Sequence, residues 1–286
     1  MSNFYSPLRY PGRKQKLSGF IRKICADNDI SGHYVEPYAG GAAVALSLLL
    51  TGRVEKITIN DLDKAVYAFW WSVINESQGL CKLICDTEVT VEEWQKQKEI
   101  FADKTNEDDL LKLGFSTLFL NRTNYSGVLN AGVIGGIKQG GKYEIGCRFN
   151  KKTLIDRIQA ISSCGGNINV TNLDALDLID VVENNVNTIF YFDPPYYLKG
   201  QSLYMNHYKK EDHRIVSEKI WMIKNPHWIV SYDNTPQIHE LYDLSKNSFN
   251  YELHHRAHSS RVGKESIFFS DSLVVSKDAK GLLIKG

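Results

Sequence analysis

The chain has 286 residues, 43% apolar and 23% charged, an ordinary globular composition with room for one α/β domain carrying a sizeable insertion, or for two modest domains. No run of about 18 apolar residues occurs, and no basic stretch followed by an apolar one opens the chain. Neither a membrane span nor a secretory signal is therefore predicted, and a cytoplasmic protein is expected. The net charge is +1, and the five cysteines (Cys25, Cys81, Cys85, Cys147, Cys164) are odd in number and scattered, which argues against a disulfide framework.

In chain order, the segment from Met1 to Ala26 holds six basic residues (Arg9, Arg13, Lys14, Lys16, Arg22, Lys23) and no acidic one. His33 to Glu36 is predicted as a short buried strand and Ala42 to Leu50 as the helix after it. Lys56 to Asn60 follows as a strand, then Asp63 to Ile74 as a helix with Ala65, Ala68 and Phe69 on one face. Cys81 and Cys85 share a face if their segment is helical, but with neither CxxC nor a second ligand pair they read as core thiols. From about Leu80 to Phe149 the strand–helix rhythm breaks. Two helical stretches, Val91 to Ala102 and Leu110 to Leu120, precede a Gly- and Asn-rich segment from Asn121 to Gly146 that is too long for an idle connection. A second basic run extends from Lys138 through Lys142, Arg148, Lys151 and Lys152 to Arg157, diluted by Glu144 and Asp156. The rhythm then resumes with strands at Ile168 to Thr171 and Thr188 to Phe192, a helix at Glu211 to Ile223, and a strand at His227 to Tyr232. Tyr251 to Arg256 and Ser266 to Ser270 read as a closing antiparallel pair, beside a third basic run (His254, His255, Arg256, His258, Arg261, Lys264). The alternation predicts a parallel sheet with helices on its faces. Each basic run alone reads as a solvated face; three together fit a molecule with one phosphate-facing side.

Asp193-Pro194-Pro195-Tyr196 is the strongest chemical signal, because it follows an apolar strand at the end where open α/β sheets place ligands. An exocyclic amine on adenine is a poor nucleophile, its lone pair being delocalised into the ring. A carboxylate (Asp193) and a main-chain carbonyl (Pro194) accepting its two N–H bonds would push that nitrogen toward an attacking form. The prolines fix the loop, and Tyr196 offers a face on which a base stacks. The plain alternative is a rigid turn with an aromatic packed nearby. Val35-Glu36-Pro37-Tyr38-Ala39-Gly40-Gly41-Ala42 is a strand leading through a glycine turn into a helix, suited to close approach of a nucleoside. Asp61, 21 residues past Gly40, is placed to accept ribose hydroxyls or else to cap the next helix. Arg9-Tyr10-Pro11-Gly12-Arg13-Lys14 reads as a turn, or as the partner of the methionine end of a cofactor through Tyr10 and Lys14.

In this order the four pieces resemble the Dam-type (D12 class, alpha group) site-specific DNA adenine-N6 methyltransferases. The resemblance extends to Leu120-Asn121-Arg122-Thr123-Asn124-Tyr125-Ser126-Gly127 and to Arg261 with Glu265, and so covers nearly the whole chain. It implies a Rossmann-like class I methyltransferase fold: a seven-stranded, mostly parallel sheet with an antiparallel C-terminal strand, plus a helical and β-hairpin target-recognition insert. Residues 1–78 and 150–286 would form the catalytic domain and 79–149 the DNA-binding insert. The implied cofactor is S-adenosylmethionine, leaving as S-adenosylhomocysteine, with no metal. Tyr10, Lys14, Glu36, Pro37, Gly40, Asp61 and Asp193 would contact it, while Asp193, Pro194 and Tyr196 handle a flipped-out adenine. Arg122 would hold a DNA phosphate, and Tyr125, Ser126 and Asn130 would lie in the hairpin that reads bases. The implied partner is double-stranded DNA, with no membrane and no obligate protein partner, for a monomer or weak dimer of bacterial or phage origin.

Asn130 stands where GATC-specific members place a guanine-reading arginine, and Ala131 to Gly141 departs from their pattern. Since asparagine forks onto adenine, GATC specificity does not carry over. Other acceptors (cytosine N4, an RNA base, a protein glutamine) and a DNA-binding module without catalysis remain open at this point. The aspartate heading the catalytic loop favours adenine. The histidines His254, His255 and His258 lack a partner group for a metal, and Tyr196, Tyr197, Tyr204 and Tyr208 read either as packing or as a border to DNA.

Overall fold

Strand β4 (Thr188–Phe192) is buried along its whole length, as a strand covered by helices on both faces must be. Around it a computed structural model arranges β1 (His33–Glu36), β2 (Lys56–Asn60), β3 (Ile168–Thr171), β5 (His227–Asp233), β6 (Ser248–His255) and β7 (Arg261–Phe269) in the order β3-β2-β1-β4-β5-β7-β6. The structure describes residues 5–9, 17–103, 109–182, 187–197, 208–223, 227–255 and 261–285, without the side chains of 252–255, 261, 262 and 283–285. Strand β1 runs parallel to β2 and β4, and β4 parallel to β5; β7 enters antiparallel between β5 and β6. The seven-stranded, mostly parallel α/β sheet expected from sequence is thus present. The chain proceeds outward from β1 through β2 to β3 in one direction, and from β4 to β5 in the other. The crevice at the carboxyl ends of β1 and β4 is therefore a topological switch point, where open α/β sheets bind ligands.

The chain forms two compact units, one of Met1–Pro11 with Asp63–Val170 and one of Gly12–Leu62 with Thr171–Gly286. In the second, Phe190, Phe192, Val230, Tyr232 and Phe268 on one sheet face pack with Leu178 of α8 (Ala175–Val181) and with Val216 and Ile220 of α9 (Lys210–Trp221). Helix α1 (Leu17–Asp27), which the strand–helix rhythm did not announce, brings Phe20 edge-on to Phe249 and Phe269, each at 6.0 Å. Its Leu17, Phe20, Ile21 and Ile24 are fully buried at helical spacing, a signal that the basic residues between them obscure. Helices α2 (Ala43–Leu50), α10 (Pro236–Leu241) and α11 (Lys277–Lys285) complete this unit.

The first unit is helical: α3 (Lys64–Asn75), α4 (Ser77–Asp86), α5 (Val91–Ala102), α6 (Leu110–Thr123) and α7 (Lys151–Ser162). Helix α6 is buried nearly all round, from Leu113 to Asn121. Polar pins set its depth: Thr117 Oγ1 donates to the Ala65 carbonyl at 3.1 Å, and Ser116 Oγ to that of Gln97 at 2.6 Å. Gly114 marks the closest approach of α6 to α3, since a Cβ there would lie 2.5 Å from Ser72 Oγ and 2.6 Å from the Ala68 carbonyl oxygen. Cys81 and Cys85 both fall on α4 as free thiols, the second exposed.

The segment after α6 differs from the expected base-reading hairpin. It contains 3-10 turns at Tyr125–Gly127 and Ile145–Arg148 and one isolated antiparallel bridge, Asn124 with Val133, with no strand among its described residues. Positive φ at Ser126, Gly127, Gly135, Gly136 and Gln139 breaks up extended backbone, so no ladder can propagate.

Gly114→Ala is expected to lower stability by about 1–3 kcal/mol, because backbone rather than a flexible tip resists the new methyl. Gly19→Ala in α1, where a Cβ meets nothing within 4 Å, should instead be neutral or mildly stabilising. Urea unfolding midpoints compare the two, and equal shifts would contradict the close crossing of α3 and α6.

Candidate active site at the carboxyl ends of the parallel strands

Three acidic residues stand at successive strand ends of the second unit. Glu36 is the last residue of β1, Asp61 follows β2, and Asp193 follows β4. Glu36 is 4% exposed; its Oε1 accepts from the Tyr34 hydroxyl at 2.9 Å and from the Ala45 amide in the first turn of α2 at 3.2 Å. Burial pushes its carboxyl up to about 8; the two donors oppose that rise, and the nearby charge of Asp193 adds to it.

The turn from β1 into α2 needs a left-handed backbone at Gly40 (φ 45°) and at Ala42 (φ 46°), a conformation that glycine adopts freely and alanine does not. Neighbouring loops hold it. The Gly40 amide donates to Asp61 Oδ2 at 2.9 Å, and the Ala39 amide to the Asn60 carbonyl at 2.8 Å. Asn60, 1% exposed, donates from Nδ2 to the carbonyls of Pro37 (2.9 Å) and Leu173 (3.0 Å). Its Oδ1 accepts from Thr171 Oγ1 (2.8 Å) and the Leu173 amide (2.9 Å). One buried amide thereby ties the glycine turn, the end of β2 and the exit of β3 together. The helix cap that was the plain alternative for Asp61 belongs to Asp63, which accepts from the Ala65 amide at 2.9 Å.

The catalytic-loop candidate is fixed at three points. Asp193 Oδ1 accepts from Ser231 Oγ at 2.9 Å, so Ser231 in turn accepts from the Tyr191 hydroxyl 2.8 Å away. The Tyr196 hydroxyl donates to Glu265 Oε1 on β7, whose other oxygen accepts from the Tyr251 hydroxyl of β6. The Tyr197 amide donates to Asp233 Oδ1 at the end of β5, at 2.8 Å. Pro194 is buried and Asp193 half-buried, while Tyr196 keeps 8% of its surface exposed. Beneath the loop, His213 is 1% exposed, with Nδ1 2.9 Å from the Tyr232 hydroxyl and its ring against Tyr197 and Tyr208. Burial pushes its imidazole pKa down, which keeps it neutral. Tyr208 meets the Tyr38 hydroxyl at 2.8 Å and so packs inward. Tyr204, Arg256 and His258 lie outside the described residues.

The second unit therefore brings together Glu36, Pro37, Gly40, Asp61, Asp193, Pro194 and Tyr196. Tyr10 and Lys14 lie outside the described residues. Arg122, Tyr125, Ser126 and Asn130 belong to the first unit. There Arg122 donates through Nε to the Pro7 carbonyl at 2.7 Å and through Nη2 to the same oxygen. Burial, then the charges of Arg157 and Arg9, push its guanidinium down to about 9, still a cation at neutral pH. Asn121 accepts from the Arg9 amide at 2.7 Å and donates to the carbonyls of Arg9 and Gly127, both at 2.8 Å. At Gly127 (φ 76°) a Cβ would fall 2.6 Å from the Arg9 carbonyl oxygen, so the turn requires glycine. Tyr125 is 45% exposed and Asn130 exposed.

Sequence reasoning missed Ser231, Asp233 and the Asn60 side chain as positioning groups. A signal existed for the first, since a serine inside an otherwise apolar buried strand must find a partner.

The family model of the D12 class N6 adenine-specific DNA methyltransferases matches residues 10–259. Among relatives, the type II methyltransferase M.MjaIII of Methanocaldococcus jannaschii is 26% identical over 222 residues, spanning 72% of this chain and 73% of its own length.

Glu36 sets a pH dependence. A carboxyl whose pKa rises from the usual 4.5 to about 8 on folding stabilises the fold below the lower value, and that contribution is lost as pH rises through the higher one. The ligand-free protein is expected to lose melting temperature from about pH 5 to 8.5 by more than its Glu36→Gln variant does. Parallel melting curves across that range would show that folding does not raise the Glu36 pKa.

Proposed function

Because the chain belongs to the D12 class N6 adenine-specific DNA methyltransferase family, and so methylates adenine in DNA, we propose a specific route. The methyl group of S-adenosylmethionine passes directly to N6 of an adenine flipped out of double-stranded DNA at a defined site. The family membership sets aside cytosine N4, RNA and glutamine as acceptors, and the loss of catalysis as well. The observation that carries the reading is the cluster of Glu36, Asp61 and Asp193 at adjacent strand ends beside a left-handed glycine turn.

The donor set suits this cofactor. Asp61 is a carboxylate at the distance along the chain that ribose hydroxyls call for, and Gly40 lets backbone come close to a nucleoside. Glu36, Pro37 and Asp193, with Tyr10 and Lys14, would hold the methionine end. When bound, S-adenosylmethionine supplies an electrophilic methyl on a sulfonium; no metal is needed. Asp193 and the Pro194 carbonyl accept the two N–H bonds of the target amine, directing its lone pair at the methyl. Ser231 orients the carboxylate for that task, and the proton released by the methylated amine leaves through Asp193. Glu265 fixes the plane of Tyr196, so that its exposed margin can meet the base.

Residues 1–78 and 150–286 are assigned to catalysis and 79–149 to target recognition, where Arg122, Tyr125, Ser126 and Asn130 would approach the duplex. M.MjaIII is a type II methyltransferase, and a place beside a restriction enzyme is proposed for this chain as well. Action on DNA in the cytoplasm is part of the proposal; no described helix is long and apolar enough to cross a membrane.

Asp193→Ala is expected to lower kcat for methyl transfer to duplex DNA by about 100-fold or more, as loss of a preorganised acceptor does. Ser231→Ala should cost less, about 3- to 30-fold, because it loosens the carboxylate without removing it. Labelled methyl transfer measures both. Full activity in Asp193→Ala would refute the proposed chemistry.

A further inference from the structure

The loop from Val133 to Ile145 is wound by its own bonds. Gly135 (φ 84°), Gly136 (φ 72°) and Gln139 (φ 49°) all take left-handed backbone. Gln139 is the unusual member, since a side chain disfavours that conformation. Its own amide group holds it there. Nε2 donates to the carbonyls of Ile134 at 2.9 Å and Gly136 at 2.6 Å, and Oε1 accepts from the Ile145 amide at 2.8 Å. The Gly141 amide closes the loop on the Gly135 carbonyl at 3.3 Å, and a Cβ at Gly135 would strike the Tyr143 carbonyl oxygen at 2.7 Å. Val133, Ile134 and Ile145 are buried below.

This locked loop presents Ile137 at 56% exposure and Tyr143 at 55%, with exposed Lys138 and Lys142 between them in the chain. Lys142 Nζ lies 5.7 Å from the Tyr143 ring centroid. One exposed isoleucine is ordinary on a protein surface. An exposed isoleucine on a self-clamped backbone, followed in the same loop by Lys138 and Lys142 and with Glu144 as the one acid from 133 to 145, has the form of a groove-facing contact. Aspartate or glutamate there would be repelled by phosphates, whereas lysines in the same loop meet them.

We propose that Ile137 is a specificity-determining residue, making apolar contact with a thymine methyl group in the recognition site. Lys138 and Lys142 lie on flanking phosphates, and Gln139 is the positioning residue that keeps Ile137 raised. This rests on the duplex-DNA reading given above. Apolar contact with the thymine methyl is one of the ways a protein tells base pairs apart in the major groove, and it requires no hydrogen-bonding side chain. A rigid presentation makes it selective, because the loop need not be ordered on binding.

The test begins by sequencing modified adenines in DNA from an expressing host to define the site. Duplexes carrying that site are then made with each thymine in turn replaced by deoxyuridine. For the wild type, kcat/KM is expected to fall about tenfold at one such position. Ile137→Ser should already have lost that factor and be indifferent to the replacement, Gln139→Ala should behave likewise, and Ile137→Val should restore the sensitivity. Lys138→Ala and Lys142→Ala should weaken all duplexes alike and flatten the salt dependence by about one unit of slope each. Retained thermal stabilisation by S-adenosylmethionine shows that each variant is folded. Ile137→Ser responding to deoxyuridine as the wild type does, or a site with no thymine whose methyl matters, overturns the proposal. A wild type that methylates no duplex overturns instead the reading on which it rests.

Discussion

Each acidic side chain at the strand ends is gripped by a neutral donor that belongs to the scaffold. Glu36 is held by a tyrosine hydroxyl and a helix amide, Asp61 by the Gly40 amide, and Asp193 by a serine on the next strand. Burying a carboxyl group in a sheet crevice is unfavourable unless its oxygens are hydrogen-bonded. These bonds meet that requirement and also fix where the oxygens point. The parallel order of β2, β1, β4 and β5 then brings the acids to one edge, and the reversal of strand order between β1 and β4 opens the crevice between Glu36 and Asp193. The sensitivity of the Glu36 carboxyl to the charge of Asp193 is the electrostatic trace of that proximity.

Side-chain amides do in the loops what backbone ladders do in the sheet. Asn60 fastens the glycine turn to two strand exits, and in the helical unit Asn121 fastens the segment at Arg9 to the turn at Gly127. Asn124 does the same nearby: it accepts from Trp94 Nε1 at 2.6 Å and donates to the carbonyls of Val128 and Leu129. An amide offers two donors and an acceptor in one plane, so a single residue can join segments that no regular structure connects. Loops assembled in this way keep functional groups in position without the uniform geometry of a helix or strand.

Strands β4 and β5 were legible as short apolar runs, and β1 to β3 as short β-branched or aromatic segments bounded by polar residues. The catalytic-loop candidate was legible because its tetrapeptide directly follows the most apolar of them. Helix α1 was hidden by basic residues interleaved with its apolar stripe, although Leu17, Phe20, Ile21 and Ile24 carried the period. The expected hairpin failed for a different reason. Glycine and asparagine signal turns, but composition does not say whether left-handed residues recur often enough to prevent a ladder, as they do from Ser126 to Gln139. Arg122 was legible as a basic residue beside a glycine-rich segment, yet its two bonds to the Pro7 carbonyl depend on a contact 115 positions away, which no local pattern encodes. Ser231 and Glu265 likewise reach Asp193 and Tyr196 only through strand register.

Under the proposed function, one crevice would serve both donor and acceptor of the methyl group. A crystal structure with S-adenosylhomocysteine and a duplex containing the target adenine addresses this most directly. The proposed chemistry requires ribose hydroxyls on Asp61 and an extruded base whose amine lies between the Asp193 carboxylate and the Pro194 carbonyl. A nucleoside bound away from the Gly40 turn, or a target base left stacked in the duplex, would contradict it.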